Sequence, residues 1–160
     1  MREYFNNKIF ILDDVLSRGQ CQELILFHNQ SETSVWRDTN PMLIDMKNRF
    51  LASKVNQIIK NVNKYLGKKL EVDWCEIVLW PINSRQDLHK DISSNDTVFT
   101  SITYLNDNYS GGKTYIENDM EFYPKVGRTV CFDGNFYRHG VTQVLSADRY
   151  TLPIWYKLIS

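Results

Sequence analysis

Leu70-Glu71-Val72-Asp73-Trp74-Cys75-Glu76-Ile77-Val78-Leu79-Trp80 marks the point at which the chain changes character. It opens a series of short β-rich runs at about 70–80, 98–105, 113–117, 128–132, 139–145 and 149–157, separated by clusters of Gly, Asn, Asp and Ser. Upstream, apart from a strand expected at Ile9 to Leu12, the pattern is helical. Ser17 with Gln20 three residues on makes a capping box, because the hydroxyl and the amide each satisfy a free backbone N–H, and a helix over Arg18 to His28 follows. Leu51, Val55, Ile58, Val62 and Tyr65 recur at steps of four and three, which predicts a second amphipathic helix with Gly67 placed to end it in a left-handed conformation. Helices first and strands afterwards argue against a parallel α/β sheet. The expected class is α+β, mainly β, with antiparallel strands closed into a sandwich or jelly roll and two N-terminal helices packed outside.

A length of 160 residues is that of one compact domain, expected here as a helical part over about 1–68 and a β core over about 70–157. Nineteen basic residues balance nineteen acidic ones, so the chain lacks the broad positive field of a non-specific nucleic-acid binder, and no nucleic-acid partner is expected. No apolar run approaches the roughly 20 residues that span a bilayer, and the first residues lack the apolar stretch of a secretory signal. The expectation is a soluble, cytoplasmic protein with no membrane partner. Cys21, Cys75 and Cys131 form no C-x-x-C pair and read as buried, reduced thiols. Asn95-Asp96-Thr97 and Asn108-Tyr109-Ser110 match the glycosylation sequon but read as turn residues. The loops Pro81 to Leu88 and Ile92 to Asp96 are expected to rim any opening. The polar stretch Ser31 to Asn40, with Trp36 in it, is either a lid over substrate or a helix connection.

The stretch richest in chemistry is His89-Lys90-Asp91. On an extended segment, residues two apart point the same way, so an imidazole and a carboxylate are delivered together to one side. Alone the pair is weak. His139, in Arg138-His139-Gly140-Val141-Thr142, adds a second imidazole, and two His with one carboxylate are the ligand set that holds Fe(II) on one face and leaves positions open. Lys90 and Arg138 flank these residues and should project outward, and His28 reads as a surface or satisfied core residue. Arg149 begins the run Arg149-Tyr150-Thr151-Leu152-Pro153-Ile154-Trp155-Tyr156. A guanidinium has no neutral form to retreat to, so at the mouth of an apolar strand pair it calls for an anion, and a dicarboxylate would meet it through a bidentate fork.

Several elements now fall in order: Glu76-Ile77-Val78-Leu79-Trp80-Pro81 before the H-x-D, then Tyr104-Leu105-Asn106, Ser110-Gly111-Gly112, Pro124-Lys125-Val126-Gly127, His139-Gly140-Val141, and Arg149-Tyr150 with Trp155-Tyr156. From about Trp74 to Tyr156 this order and spacing resembles the Fe(II)- and 2-oxoglutarate-dependent dioxygenases, and within them the prolyl 4-hydroxylase-like branch. The resemblance implies a double-stranded β-helix of the cupin-like jelly-roll kind, with iron held by His89, Asp91 and His139. It implies that Arg149 binds the distal carboxylate of 2-oxoglutarate and that Tyr104 donates its hydroxyl to the same carboxylate. The implied activity is hydroxylation of an unactivated C–H bond with decarboxylation of 2-oxoglutarate to succinate, O2 as oxidant and ascorbate in a supporting role. The implied substrate is a proline in a peptide or protein, or a small molecule.

Two departures accompany the likeness. Trp80 stands where relatives often carry a tyrosine that touches the co-substrate, and it reads either as a co-substrate contact with one N–H donor or as a core residue. Lys113 follows the paired glycines where relatives often have an acid. Thr142 is a candidate hydrogen-bonding partner near the co-substrate, and Trp155 reads as core. Gly112-Lys113-Thr114 fails the spacing of a phosphate-binding loop because Asp107 stands where a glycine is needed. The alternative function is a non-enzymatic, cupin-like β-sandwich binding module, in which the same residues form a buried polar cluster or hold a structural metal.

Overall fold

The structure is a computed structural model that describes residues 9–91 and 96–159. The N-terminal strand β1 (Phe10–Leu12) leads into helix α1 (Arg18–Asn29). The expected capping box is formed: Gln20 N–H donates to Ser17 Oγ at 3.1 Å, and Ser17 N–H donates to Gln20 Oε1 at 2.9 Å. After β2 (Asn40–Leu43), helix α2 (Arg49–Leu66) buries Leu51, Val55, Ile58 and Val62 and ends at left-handed Gly67, φ 64°. Tyr65 departs from the expected buried face. It is largely exposed, and its ring stacks on Phe10 at 4.1 Å.

From Leu70 the chain is β. Its strands are β3 (Leu70–Trp80), β4 (Gln86–His89), β5 (Phe99–Tyr104), β6 (Ser110–Gly111), β7 (Thr114–Ile116), β8 (Met120–Phe122), β9 (Thr129–Phe132), β10 (His139–Val141), β11 (Val144–Leu145) and β12 (Arg149–Leu158). Every pairing is antiparallel. The large sheet runs β1-β9-β5-β12-β3-β2 and the small one β4-β10-β7-β8, with β11-β6 as a short ladder at one end. That segregation of helices from an antiparallel, jelly-roll body is the expected class.

Alternation along the large sheet sorts side chains onto two faces. Cys75, Ile77, Phe99, Cys131, Leu152, Ile154 and Tyr156 pack with the apolar faces of the two helices into the main core. The opposite face carries Tyr104, Val130 and Phe132, which pack with Ile116 of the small sheet into a second core. The three thiols are buried and unpaired, and burial pushes Cys21 up to about 11 and Cys75 up to about 12, so they stay protonated.

Two expectations need correction. The stretch 81–88 is only partly a loop, because Gln86 to His89 form β4 at the edge of the small sheet. Leu88 points to solvent there while Gln86 and His89 are partly buried, so the strand has no apolar stripe to read. The stretch 31–40 connects α1 to β2, with a tight turn in which Trp36 and Thr39 exchange backbone hydrogen bonds of 2.8 and 3.0 Å. Pro41 within β2 is tolerated because that strand lies at a sheet edge. The expected run 139–145 is interrupted, dividing into β10 and β11. The second rim loop lies at residues 92–95 outside the described residues, as does Asn95 of the first sequon.

Candidate metal and co-substrate site

Antiparallel pairing of β10 with β4 sets His139 directly opposite His89, so both imidazoles leave the same face of the small sheet. Their ring centroids are 4.4 Å apart. Asp91 follows His89 by two residues, as the spacing requires, and its backbone N–H donates to Gly134 O at 2.8 Å, which ties it to the turn before β10. Asp91 Oδ1 then lies 3.6 Å from His89 Nε2 and 3.2 Å from His139 Nε2. One ligand atom from each of the three residues falls within 4.8 Å of the others.

The surrounding hydrogen bonds aim these atoms at one another. His89 Nδ1 lies 3.0 Å from Asp87 O and His139 Nδ1 lies 3.0 Å from Tyr137 O. A carbonyl only accepts, so each Nδ1 carries the proton and each Nε2 presents its lone pair. Asp91 Oδ2 accepts from Thr100 Oγ1 at 3.0 Å and from Trp155 Nε1 at 3.2 Å, leaving Oδ1 for the histidines. Burial by itself would raise the Asp91 carboxyl, but in the metal-free site hydrogen bonds from the Nε2–H of His139 and His89 in their protonated forms outweigh it and hold the group well below the usual carboxylate range. A Cβ at Gly134 would overlap Asp91 Oδ2, so glycine is needed for the carboxylate to sit there. Arg138 and Lys90 are exposed, as expected from strand alternation.

A second cluster lies at the other end of β12. Arg149 is 1 % exposed, and its charge meets no carboxylate among the described residues. Its Nε donates to Gly112 O at 2.9 Å and its Nη2 to Thr114 Oγ1 at 3.3 Å, while the guanidinium carbon sits 5.0 Å from the Trp80 ring and 5.4 Å from the Tyr104 ring. Two buried donors beside it, Trp80 Nε1 and the Tyr109 hydroxyl, have no hydrogen-bond partner. Burial pushes the Tyr109 phenol up and keeps it protonated. Gly112, at φ 59°, gives the loop room, because a Cβ there would press on the Tyr109 ring and Arg149 Cδ. A buried cation with two orphaned donors could receive a carboxylate, and the donor set fits the far end of a small diacid.

The structure brings the expected ligand candidates His89, Asp91 and His139 together, and sequence reasoning missed some of their partners. Trp80 packs over the Arg149 guanidinium with its N–H unpartnered. Tyr104 Oη accepts Thr114 N–H at 2.9 Å, and its single proton has Thr114 Oγ1 at 2.8 Å and Phe122 O at 2.9 Å as alternative acceptors within the protein. Tyr109, read only as a turn residue, supplies the free hydroxyl. Thr142 Oγ1 accepts Lys113 N–H at 2.9 Å and latches the loop after the paired glycines to β10. Lys113 pairs with Glu121 at 3.1 Å on the outer surface. Trp155, read as core, is half-buried and touches Asp91. Its parity with Arg149 along β12 is the signal that marks it as facing the site. His28 is a buried core residue, 2.9 Å from Asn40 O and edge-on to Tyr150.

The chain matches the 2OG-Fe(II) oxygenase superfamily over residues 77–157, a span that holds His89, Asp91, His139 and Arg149. A putative prolyl 4-hydroxylase of Acanthamoeba polyphaga mimivirus is 22 % identical over 181 residues, covering 94 % of this chain and 74 % of the relative. Among solved structures, the viral collagen prolyl hydroxylase of Paramecium bursaria Chlorella virus-1 in complex with 2-oxoglutarate superimposes with a TM-score of 0.79. It is 15 % identical and covers 97 % of this chain and 98 % of that one. A Trichoplax adhaerens prolyl hydroxylase in complex with a hypoxia-inducible-factor peptide fragment gives 0.74 at 22 % identity, with 94 % and 84 % covered.

The protein therefore belongs to the 2OG-Fe(II) oxygenase superfamily. It is a prolyl 4-hydroxylase-like oxygenase that uses Fe(II), 2-oxoglutarate and O2. Membership in an enzyme superfamily displaces the binding-module alternative. No helix among the described residues is long and apolar enough to cross a membrane.

Proposed function

We propose that His89, Asp91 and His139 hold the Fe(II), that Arg149 with Tyr109 and Trp80 holds the distal carboxylate of 2-oxoglutarate, and that the substrate is a prolyl ring. The observation that carries this reading is the convergence of three ligand atoms within 4.8 Å. Bound there, iron would activate O2, the oxidant, with 2-oxoglutarate giving up two electrons and leaving as succinate and carbon dioxide, so that one oxygen atom would enter the substrate C–H bond and the other the succinate.

The chain's own residues do the rest. The carbonyls of Asp87 and Tyr137 hold the imidazole protons on Nδ1, which keeps both Nε2 atoms available as neutral ligands. Thr100 and Trp155 fix the Asp91 carboxylate so that one oxygen is left to bind metal. Arg149 neutralises the diacid in a site closed to water and orients its far end by charge-assisted hydrogen bonds. The aromatic walls of Trp80, Tyr104 and Phe132 lower the local water content around these groups. Phe132 also packs against the His139 ring at 4.6 Å, which limits its rotation.

The prolyl substrate rests on the names of the relatives that share the fold. Incubation of the iron-loaded protein with 2-oxoglutarate, ascorbate and proline-containing peptides tests it. The expected result is succinate formed together with a peptide gaining one oxygen atom, both lost in His139→Ala. Succinate formation that no prolyl compound stimulates above the substrate-free rate would overturn the prolyl assignment.

A further inference from the structure

Glu76 is a partly buried acid that the site as described does not use. It lies on β3, between Cys75 and Ile77, whose side chains belong to the helix-side core, so its own side chain takes the other face, toward the site. The β3–β12 register, with Val78 opposite Thr151 and Cys75 opposite Ile154, puts Glu76 opposite Pro153, and the β2 register puts it opposite Leu43. Its neighbours along that face are Trp74 and Val78. None of these four carries a positive charge, and no hydrogen bond or ion pair to Glu76 occurs among the described residues. Burial pushes its carboxyl above the usual range.

The position is that of a substrate wall. Trp74 packs on Trp155 at 4.8 Å between ring centroids, and Trp155 Nε1 reaches Asp91. Glu76 stands diagonal to Trp155 across the β3–β12 ladder, a Cα separation of about 7–8 Å. It is therefore close to the three-ligand cluster but four residues along β3 from Trp80, where Arg149 takes the diacid. Leu43, its partner on β2, is 70 % exposed, so this side of the face opens to solvent. An unpaired carboxylate at the open side of a site, away from the co-substrate's own anchor, is a recognition group waiting for a cation.

We infer that Glu76 binds a protonated amine of the substrate and so selects cationic substrates, an inference that rests on the proposed function above. The imide nitrogen of an internal prolyl residue has neither charge nor N–H, so it cannot be that partner. Two sources carry the required ammonium: the ring nitrogen of a free or N-terminal imino acid, and a lysyl side chain elsewhere in a peptide.

Calorimetric titration of the full chain loaded with Mn(II) and 2-oxoglutarate separates them without turnover. One arm compares L-proline with N-acetyl-L-proline, and the other a Pro-Lys peptide capped at both ends with the same peptide acetylated on lysine. In one arm the charged member should bind at least about tenfold tighter to wild type, and Glu76→Gln should bring that ratio to within about twofold. Glu76→Asp should keep the preference. The affinity for 2-oxoglutarate should be the same in wild type and both variants, which shows that the fold and the Arg149 pocket are intact. No charge preference in either arm of wild type, or an undiminished preference in Glu76→Gln, would overturn the role of Glu76 alone. Failure of Mn(II)-loaded wild type to bind 2-oxoglutarate would overturn both this inference and the reading beneath it.

Discussion

His89 and His139 are cross-strand partners: the residues face each other on β4 and β10, and their rings stand 4.4 Å apart before any ion is considered. A one-residue slip of β4 would send the first imidazole to the opposite face. The spacing of the two candidate ligands is thus fixed by sheet register, with Asp91 added by the segment that follows. His89→Ala or His139→Ala should abolish stoichiometric Mn(II) binding while leaving the far-ultraviolet circular dichroism unchanged. Tight Mn(II) binding by either variant, measured by electron paramagnetic resonance, would show that the residue is not a ligand.

The arrangement of Asp91 depends on the absence of a side chain at Gly134. Gly134→Ala places a methyl group on Asp91 Oδ2 and near Thr100 Oγ1, so the carboxylate must swing away. Displacing a ligand by this route should weaken Mn(II) binding by about tenfold or more, comparable to losing a ligand's hydrogen-bond partners. Trp155→Phe, which deletes one such partner, should fall in the range of about 10- to 100-fold. Unchanged metal affinity in both variants would separate the carboxylate's orientation from metal binding.

Arg149 and Tyr109 should divide the work of anion recognition unequally. Arg149→Ala removes a charge-assisted contact of about 1.5–3 kcal/mol and should raise the dissociation constant for 2-oxoglutarate roughly 10- to 150-fold. Tyr109→Phe removes a neutral donor and should raise it roughly two- to tenfold. Tyr104→Phe should act differently, lowering the melting temperature more than the co-substrate affinity, because its hydroxyl already serves Thr114 and Phe122. Equal effects of Tyr104→Phe and Tyr109→Phe on affinity would contradict this division.

Glu76 should be a stability cost as well as a recognition group. Replacing an unpaired, partly buried carboxylate with a neutral isostere relieves desolvation, so Glu76→Gln should raise the melting temperature by about 2–4 °C, which corresponds to about 1 kcal/mol for a chain of this size. Differential scanning calorimetry at neutral pH measures it. A lower melting temperature would mean that the carboxylate has a stabilising partner.

Much of this was legible before the structure because the candidate ligands obey short-range rules. His89 and Asp91 share a side by the period of two, and the helix of Leu51, Val55, Ile58 and Val62 declares its buried stripe by the period of 3.6. The partners of those residues were less legible. Edge strands β2 and β4 carry no hydrophobic alternation, since one contains Pro41 and the other turns His89 into a polar site and Leu88 to solvent. Tyr109 sits in a turn whose local chemistry is only that of a loop, and its meaning comes from Arg149, forty residues on. Glu76 carries no signal of its own in the sequence, because the lack of a partner is a property of its three-dimensional neighbours. Register and long-range proximity are what short spacing rules do not encode.

The convergence of His89, Asp91 and His139 on one ion, with 2-oxoglutarate anchored by Arg149, is tested most directly by anaerobic titration of the Fe(II) protein with 2-oxoglutarate, followed by visible absorption. The account predicts a charge-transfer band that grows to one equivalent of 2-oxoglutarate in wild type, needs a much higher concentration in Arg149→Ala, and is absent in Asp91→Ala. A band of equal strength and midpoint in all three proteins, or none in wild type at saturating iron, would contradict it.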